Sequence, residues 1–311
     1  MQNVRNILVI VDPTADAHPA VEKAAILAER FGARLELYIC DTRVAREMRL
    51  VAERALDPSR LLTVNLKPFL EALAQPIRER GVDVTTECDY ADRLHEGVLA
   101  HLQSTAADLV VKQTHHHSLL KRTFITNTDW HLIRDCAAPL LLTKSTEWHR
   151  PAAVVAAVDP GHANDKPEAL DHRILTDAAS LAQALSGALH VAHCYIPMAI
   201  VATATASPPM VLEVSQEALD AEAQAKRVQV QELIRNYSIE DRNVHIDASG
   251  PTEFLPRIAE MLAADIMVMG AISRSGLKRV LIGSTAERVL ERLPCDLFIV
   301  KPSGFSAAFS V

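Results

Sequence analysis

The sequence has few aromatic residues and an excess of acidic over basic residues. Phe, Trp and Tyr make up 4% of its 311 residues, and the formal net charge is −7. A surface that binds duplex nucleic acid needs clustered Lys and Arg, and single strands are bound largely by aromatic stacking. These shortages predict that nucleic acid is not a partner.

Long apolar runs are also missing. The stretch 196–214 is interrupted by Pro208 and Pro209, whereas a membrane-spanning helix needs about 20 consecutive apolar residues. The opening MQNVRNILVIVDP enters a short apolar run without the features of a signal peptide. We therefore expect no membrane partner and a cytoplasmic location.

The five cysteines are widely spaced, odd in number and form no CxxC pair. This usage is typical of free thiols in a reducing compartment and not of a disulfide framework. The residues expected to be unpaired thiols are Cys40, Cys88, Cys136, Cys194 and Cys295.

The chain contains an internal repeat. Shifted by 157 residues, the segment 108–144 aligns without a gap on 265–301. A second match joins NILVIVDP (6–13) to AVVAAVDP (153–160). Such self-similarity indicates duplication of one domain. Identical pairs include Asp108 and Asp265, Val111 and Val268, Ser118 and Ser275, Lys121 and Lys278, Arg122 and Arg279, Thr128 and Thr285, and Lys144 and Lys301.

We place the domains at 1–147 and 148–311. In each half, short apolar runs of strand length alternate with amphipathic helical segments, a pattern typical of parallel sheets covered on both faces. Right-handed crossovers then make each half a doubly wound α/β domain with a five-stranded parallel sheet flanked by helices.

The last strand of each half, 140–144 and 297–301, is predicted to lie at a sheet edge. Because an exposed edge favours pairing with another strand, we expect these two strands to pair within the chain. A homodimer is left open as a further assembly.

In the second copy, Gly270 ends a strand and Ser273 follows it, and Gly283 and Ser284 open a helix. Glycine permits close backbone approach, and a helix start offers unpaired N–H groups and a positive dipole end, which together favour a phosphate. The alternative interpretation is a turn before a helix capped by a Ser284-x-x-Glu287 box.

This stretch resembles the universal stress protein family, whose nucleotide-binding members carry Gly-x2-Gly-x9-Gly-Ser/Thr at this point. The present sequence reads Gly270-x2-Ser273-x9-Gly283-Ser284, and Asp159 matches the family aspartate that ends the first strand. Both halves resemble the family over nearly their whole length, and DWH within 126–136 resembles the first domain of its tandem bacterial members. The resemblance implies an adenine nucleotide alpha hydrolase-like fold.

The resemblance also implies a small-molecule ligand, ATP or ADP, in the second domain. It places an adenine and ribose beside a first pair of residues, the nucleotide along a second pair, and the phosphates at a group of four, all of which are listed at the end of this paragraph. A Cβ at position 273 restricts the backbone, although its hydroxyl could donate to a phosphate oxygen. In that order the implied residues are Asp159 and Cys194, Met269 and Gly270, and Ser273, Gly283, Ser284 and Thr285.

In the first copy, Gln113, His116, Thr126 and Asn127 stand at these four landmark positions. Their side chains remove the backbone freedom that glycine provides for wrapping a phosphate. We therefore predict that the first domain has lost its nucleotide site, while Asn127 caps the following helix.

Three consecutive histidines thus occupy the place of a phosphate loop. His115 and His117 would project to one side of an extended segment, and zinc accepts imidazole ligands. His131 would be a third ligand, with Asp12 or His18 as further donors. The alternative, which the missing four-ligand pattern favours, is a polar loop that fills a vacated pocket.

Two other features receive structural interpretations. Lys112 interrupts an apolar strand and is expected to reach the strand's end with its ammonium group. Trp130 and Trp148 are expected to be packing residues and not ligand platforms.

The leading functional hypothesis is a stress-response protein whose second domain binds an adenine nucleotide in a sensing or regulatory role. Neither a general base for rapid ATP hydrolysis nor a nucleophile elbow is evident, so an enzyme is disfavoured, although slow ATP turnover stays open. The alternatives are an interaction module that holds an apolar metabolite or no ligand, and a weak ATPase with zinc in its first domain.

Overall fold

The computed structural model describes residues 4–43, 47, 49, 65–117, 122–124, 126–161, 168–205, 215–271, 284–302 and 305. The chain divides into two compact units, the first comprising Met1–Glu147 with Phe305–Val311 and the second Trp148–Gly304. The domain bounds predicted from the repeat, 1–147 and 148–311, differ from this division in the placement of residues 305–311, and they stay a prediction.

The first unit contains a five-stranded sheet in the order β7-β4-β1-β2-β3, and every neighbouring pair of strands is parallel. A separate antiparallel pair, β5 and β6, follows β4. The elements are β1 (Asn6–Ile10), α1 (Pro19–Phe31), β2 (Arg34–Asp41), α2 (Lys67–Glu79), β3 (Val84–Tyr90), α3 (Leu94–Ser104), β4 (Leu109–Gln113), β5 (His115–His117), β6 (Arg122–Phe124), α4 (Asn127–Asp135) and β7 (Leu140–Thr143).

The second unit repeats this topology in the order β10-β9-β8-β11-β12, again with every pair parallel. The elements are β8 (Ala153–Ala157), α5 (Glu168–Ala184), β9 (Ala188–Cys194), α6 (Met198–Thr205), α7 (Gln216–Ile234), a 3-10 turn (Asp241–Asn243), β10 (Val244–Asp247), α8 (Pro251–Met261), β11 (Ile266–Gly270), α9 (Ser284–Arg292) and β12 (Asp296–Val300). The predicted fold class, two tandem doubly wound α/β domains, is confirmed.

The local signals in the sequence set the ends of helix α1. Pro19 stands in its first turn, where the missing N–H costs nothing, and Gly32 ends it in the left-handed conformation at φ 64°. Between them, Ala24, Leu27 and Ala28 are fully buried against the sheet. Capping therefore fixes the helix length, and apolar spacing fixes its orientation.

The identity of Asp108 and Asp265 in the repeat has a structural cause. Asp108 Oδ2 accepts hydrogen bonds from the backbone N–H groups of Arg5 and Asn6, at 2.8 and 3.0 Å. Asp265 accepts from the N–H groups of His149 and Ala153, at 2.8 and 2.7 Å. This carboxylate therefore links the start of β4 to the start of β1 in the first unit, and the start of β11 to the start of β8 in the second.

The linker residue Trp148 is tied to the second unit. It is half-buried, and its indole N–H donates to the buried carboxylate of Asp296 at 2.8 Å. A hydrogen-bonded, partly buried indole is the packing role expected for this residue.

A close approach of two backbone segments requires glycine at the turn between α5 and β9. A Cβ on Gly187 would lie 2.1 Å from the carbonyl oxygen of Ala152. No side chain can be accommodated at that distance from a backbone atom, so the connection depends on glycine.

Three expectations from the sequence, on cysteines, membrane spans and sheet edges, can be compared with the structure. All five cysteines are free. Within the described residues, no helix is long and apolar enough to cross a membrane. Strands β7 and β12 each take an edge position in the sheet of their own unit, while their pairing with each other and a homodimer stay predictions.

Candidate functional site

The topological switch point of the second unit lies between β8 and β11. From β8 the chain crosses to β9 on one side, and from β11 it crosses to β12 on the other. The segments that leave the carboxyl ends of β8 and β11 therefore diverge and leave a crevice between them. The strand interiors are buried, but four of the predicted site residues at these ends are only half-buried. These are Asp159, Cys194, Met269 and Gly270.

The backbone after β8 is held by helix α5. The N–H of Asp159 donates to Oδ1 of Asp171, 3.1 Å away, and the Asp171 side chain is fully buried. This bond fixes the backbone of Asp159 at the end of the sheet, where the residue is half-buried.

Gly270 packs closely against side chains of helix α5. A Cβ at this position would lie 2.8 Å from Leu170 Cδ2 and 3.1 Å from Ile174 Cδ1, both on α5. Helix α5 therefore approaches this glycine closely, and the predicted approach of a ligand at the same residue stays a prediction.

Sequence reasoning missed a polar group on the α5 and α7 side of β9. The ring of His193 is 2% exposed, and its Nδ1 lies 3.1 Å from the carbonyl oxygen of Val158. Burial is the largest cause that lowers the pKa of His193, and Asp159 and Lys226 are among its charged neighbours. The available signal was a histidine next to the carboxyl end of a strand that is apolar apart from His190.

Lys226 of α7 extends toward the same end of the sheet. Its Nζ lies 5.8 Å from the centre of the Tyr195 ring and 3.5 Å from where a Cβ on Gly161 would stand. The half-buried ammonium group therefore contributes positive charge near the ends of β8 and β9.

Cys194 is a neutral thiol. Burial, followed by the charges of Asp159 and Asp247, raises its pKa to about 12. Since the thiolate is the nucleophilic and metal-binding form, Cys194 can border a ligand but has no activated sulfur chemistry.

Helix α9 begins at Ser284, one residue after the predicted phosphate glycine. Ser273 and Gly283 lie outside the described residues, as do the side chains of Ser284 and Thr285 and the proposed Ser284–Glu287 capping box. The described part of this element is the helix start, whose backbone N–H groups are suited to an anion.

The first unit contains a buried ion pair at the corresponding place. Lys112 Nζ lies 2.8 Å from Asp129 Oδ1, with the two side chains 6% and 0% exposed. The ammonium group also donates to the carbonyl oxygen of Gln113 at 3.0 Å. The Lys112 ammonium group thus reaches the end of β4, as predicted, but it is buried there and is neutralised by a carboxylate on α4.

Shifting by the repeat length shows what this pair replaces. Lys112 aligns with Met269, and Asp129 aligns with Ala286. The pair therefore joins the end of β4 to the first turn of α4, and the two aligned positions of the second unit carry the apolar residues Met269 and Ala286.

The cap of helix α4 lies one residue earlier than predicted. Thr126 accepts a hydrogen bond from the N–H of Asp129, and the Asp129 side chain accepts from the N–H of Thr126. Asn127 is instead the first helical residue. The threonine–aspartate box leaves Asn127 without the capping role.

The histidine cluster forms a short β-hairpin. His115–His117 pairs in antiparallel register with Arg122–Phe124, and the side chains of these histidines lie outside the described residues. His131 stacks on His95, with ring centres 3.7 Å apart and planes 2° from parallel. Its Nδ1 accepts from Arg134 at 2.5 Å.

Zinc ligation by His115, His117 and His131 stays a prediction. In the part of the chain that the structure describes, no group of three or more His, Cys, Asp or Glu side chains could hold a metal ion. Of the further donors, Asp12 accepts a hydrogen bond from Thr14 N–H at 2.8 Å, and the His18 ring makes an edge contact with Phe69.

Comparisons with known proteins agree with this architecture. The model of the universal stress protein family matches residues 3–144 and 153–301. The chain is 27% identical over 309 residues to universal stress protein E of Photorhabdus laumondii, with 98% of this chain and 97% of the relative covered. It is 26% identical to universal stress protein E of Escherichia coli, with 98% and 96% covered.

A solved structure has the same arrangement of elements. It is a functionally unknown protein from Pseudomonas aeruginosa, 27% identical, with a TM-score of 0.77 and coverage of 98% of this chain and 95% of that one. Two family matches in tandem, full-length relatives and a shared fold lead to one conclusion. This chain belongs to the universal stress protein family and consists of two tandem domains of that family.

Proposed function

We propose that this universal stress protein binds an adenine nucleotide, ATP or ADP, in its second unit and acts in the cytoplasm as a sensor or regulator. The observation that carries the proposal is the accessible switch point, with Asp159 beyond β8 and Met269 and Gly270 at the end of β11. Helix α9 starts beyond the same end of the sheet.

The chemistry of these groups fits a nucleotide. A carboxylate at Asp159 can accept hydrogen bonds from ribose hydroxyls, and the N–H groups at the start of α9 can donate to phosphate oxygens. Ser273, Gly283, Ser284 and Thr285 would hold the phosphates, and Cys194 would border the nucleoside as a neutral thiol.

The asymmetry between the units supports a single site. In the first unit, the buried pair of Lys112 and Asp129 joins the end of β4 to α4. Moving a nucleotide between them would separate two buried charges, which is costly in a low-dielectric interior. The expected stoichiometry is therefore one nucleotide per chain.

Calorimetric titration with ATP and ADP tests the proposal, and the repeat supplies a matched control. Asp159→Asn removes the carboxylate charge in the second unit, and Asp12→Asn makes the same change at the aligned position of the first. We expect Asp159→Asn to weaken binding on the order of tenfold, as for one charge-assisted hydrogen bond. Asp12→Asn should bind like the wild type, and failure to bind either nucleotide at millimolar concentration would refute the proposal.

Slow hydrolysis is tested separately, by phosphate release from the wild type and from Gly283→Val. Release that disappears in Gly283→Val would make a weak ATPase the better description of this site.

Zinc is tested by metal analysis of untagged protein together with His115→Ala and His117→Ala. Full zinc content in the double variant would exclude both residues as essential ligands.

A further inference from the structure

The ring of His193 has one nitrogen with a partner and one without. Nδ1 lies 3.1 Å from the carbonyl oxygen of Val158, which can only accept, so Nδ1 carries the proton. A neutral ring in this tautomer leaves Nε2 as an acceptor. Among the described residues, Nε2 has no hydrogen-bond partner, although the side chain is 2% exposed.

A buried acceptor without a donor is costly. Leaving such a group unsatisfied costs about 1–3 kcal/mol, and buried polar side chains nearly always have a partner. The charged groups whose fields act on the ring are Asp159 and Asp171, whose carboxylates can only accept, and Lys226. Lys226 makes no hydrogen bond with Nε2, so no donor from the described part of the chain reaches this acceptor near the end of β9.

This position lies on the nucleoside side of the proposed site. His193 is on β9 and bonds to the residue after β8, whereas α9 follows β11 on the other side of β8. A phosphate oxygen is itself an acceptor and cannot satisfy Nε2. A nucleoside offers donors, namely its ribose hydroxyls and the 6-amino group of adenine.

We infer, on the basis of the proposed function, that His193 is a specificity-determining residue whose Nε2 accepts a hydrogen bond from a donor group of the bound nucleoside. The shared chemistry is one N–H or O–H donor, supplied by the amino group of the base or by a ribose hydroxyl. The backbone carbonyl of Val158 holds the imidazole in the acceptor tautomer.

Binding of four nucleotides to the wild type and to His193→Leu tests the inference. ATP carries every donor, inosine triphosphate lacks the 6-amino group, and 2′-deoxy-ATP and 3′-deoxy-ATP each lack one hydroxyl. We expect the wild type to bind one analogue on the order of tenfold more weakly than ATP, equivalent to one lost hydrogen bond. In His193→Leu that preference should disappear, because no acceptor remains to distinguish the analogue from ATP.

His190→Leu is the matched control, since it lies on the same strand but on the opposite face. Its Nδ1 is within 3.2 Å of His245 Nε2, so it should leave all four affinity ratios unchanged. If His193→Leu also leaves the affinity ratios unchanged, the inference is wrong, although ATP binding itself is still shown. A trapped water that donates to Nε2 would give this result.

Two further results complete the test. If His193→Leu fails to fold, His193→Gln replaces it in the test, because glutamine keeps an acceptor. If His193→Gln still binds the same analogue more weakly than ATP, the inference is supported. If that preference is lost, the inference is contradicted. If the wild type binds none of the four nucleotides, the proposed function fails and the inference fails with it.

Discussion

The buried pair of Lys112 and Asp129 allows a quantitative prediction. The two charged atoms are 2.8 Å apart, and the side chains are 6% and 0% exposed. At an effective dielectric constant of about 20, their direct attraction is about 6 kcal/mol, most of which compensates for removing both charges from water. Lys112→Met leaves the carboxylate buried without its counter-charge and should lower the unfolding free energy of the first unit by about 3–5 kcal/mol.

Asp129→Ala should lower the unfolding free energy of the first unit by about 1 kcal/mol more than Lys112→Met does, because it also removes the capping box with Thr126. The double variant Lys112→Met, Asp129→Ala reproduces the aligned residues of the second unit. It should lose only about 1 kcal/mol, because no charge remains buried and only the cap is missing. A coupling energy of at least about 6 kcal/mol between the two sites follows from these values.

The two tryptophans allow the measurement to be made on one unit. Trp130 belongs to the first unit and Trp148 to the second, so the fluorescence of Trp130 in a Trp148→Phe background reports unfolding of the first unit in urea. Lys67→Met, at an exposed position in the same unit, should change stability by less than about 0.5 kcal/mol. The reasoning is refuted if Lys112→Met is within about 1 kcal/mol of wild type, or if the double variant is as unstable as the two single changes combined.

Three further predictions concern the second unit, with unfolding followed by Trp148 fluorescence in a Trp130→Phe background. Gly187→Ala places a Cβ against a backbone oxygen at 2.1 Å and should prevent folding or cost several kcal/mol, about 3 or more; Gly250→Ala, with its nearest atom at 3.9 Å, should cost less than about 1 kcal/mol. Asp265→Ala leaves two backbone N–H donors without their acceptor and should cost about 2–4 kcal/mol; an unchanged urea midpoint would contradict this. Burial lowers the pKa of His190 and His245 from 6.5, so the unfolded state takes up protons first as the pH falls. Stability should therefore be full above about pH 6.5 and decrease below it, with a smaller decrease in a His190→Asn, His245→Asn variant; equal slopes would contradict it.

The site illustrates how far sequence reasoning reached. Asp159 and Gly270 were predicted as site residues because an Asp-Pro after an apolar strand and a glycine at a strand end stand out in a single sequence, and both lie at the carboxyl end of the sheet. His193, the residue proposed above to determine specificity, was not predicted, because a histidine in a strand is ordinary until the partners of its two nitrogens are known. Lys112 was noticed, but its partner Asp129 is 17 residues away in sequence, and no local periodicity connects them.

The sequence by itself determined the duplication, the alternation of strands and helices and hence the fold of each half, because apolar periodicity and turn residues act over short distances along the chain. It also determined the helix ends at Pro19 and Gly32, where one residue sets the backbone. Only the tertiary structure decided which buried charges are paired and which buried acceptor has no donor among the residues that the structure describes. Those outcomes depend on distances of about 3 Å between segments far apart in sequence, and the free energy of a buried polar atom is set by the neighbour that reaches it.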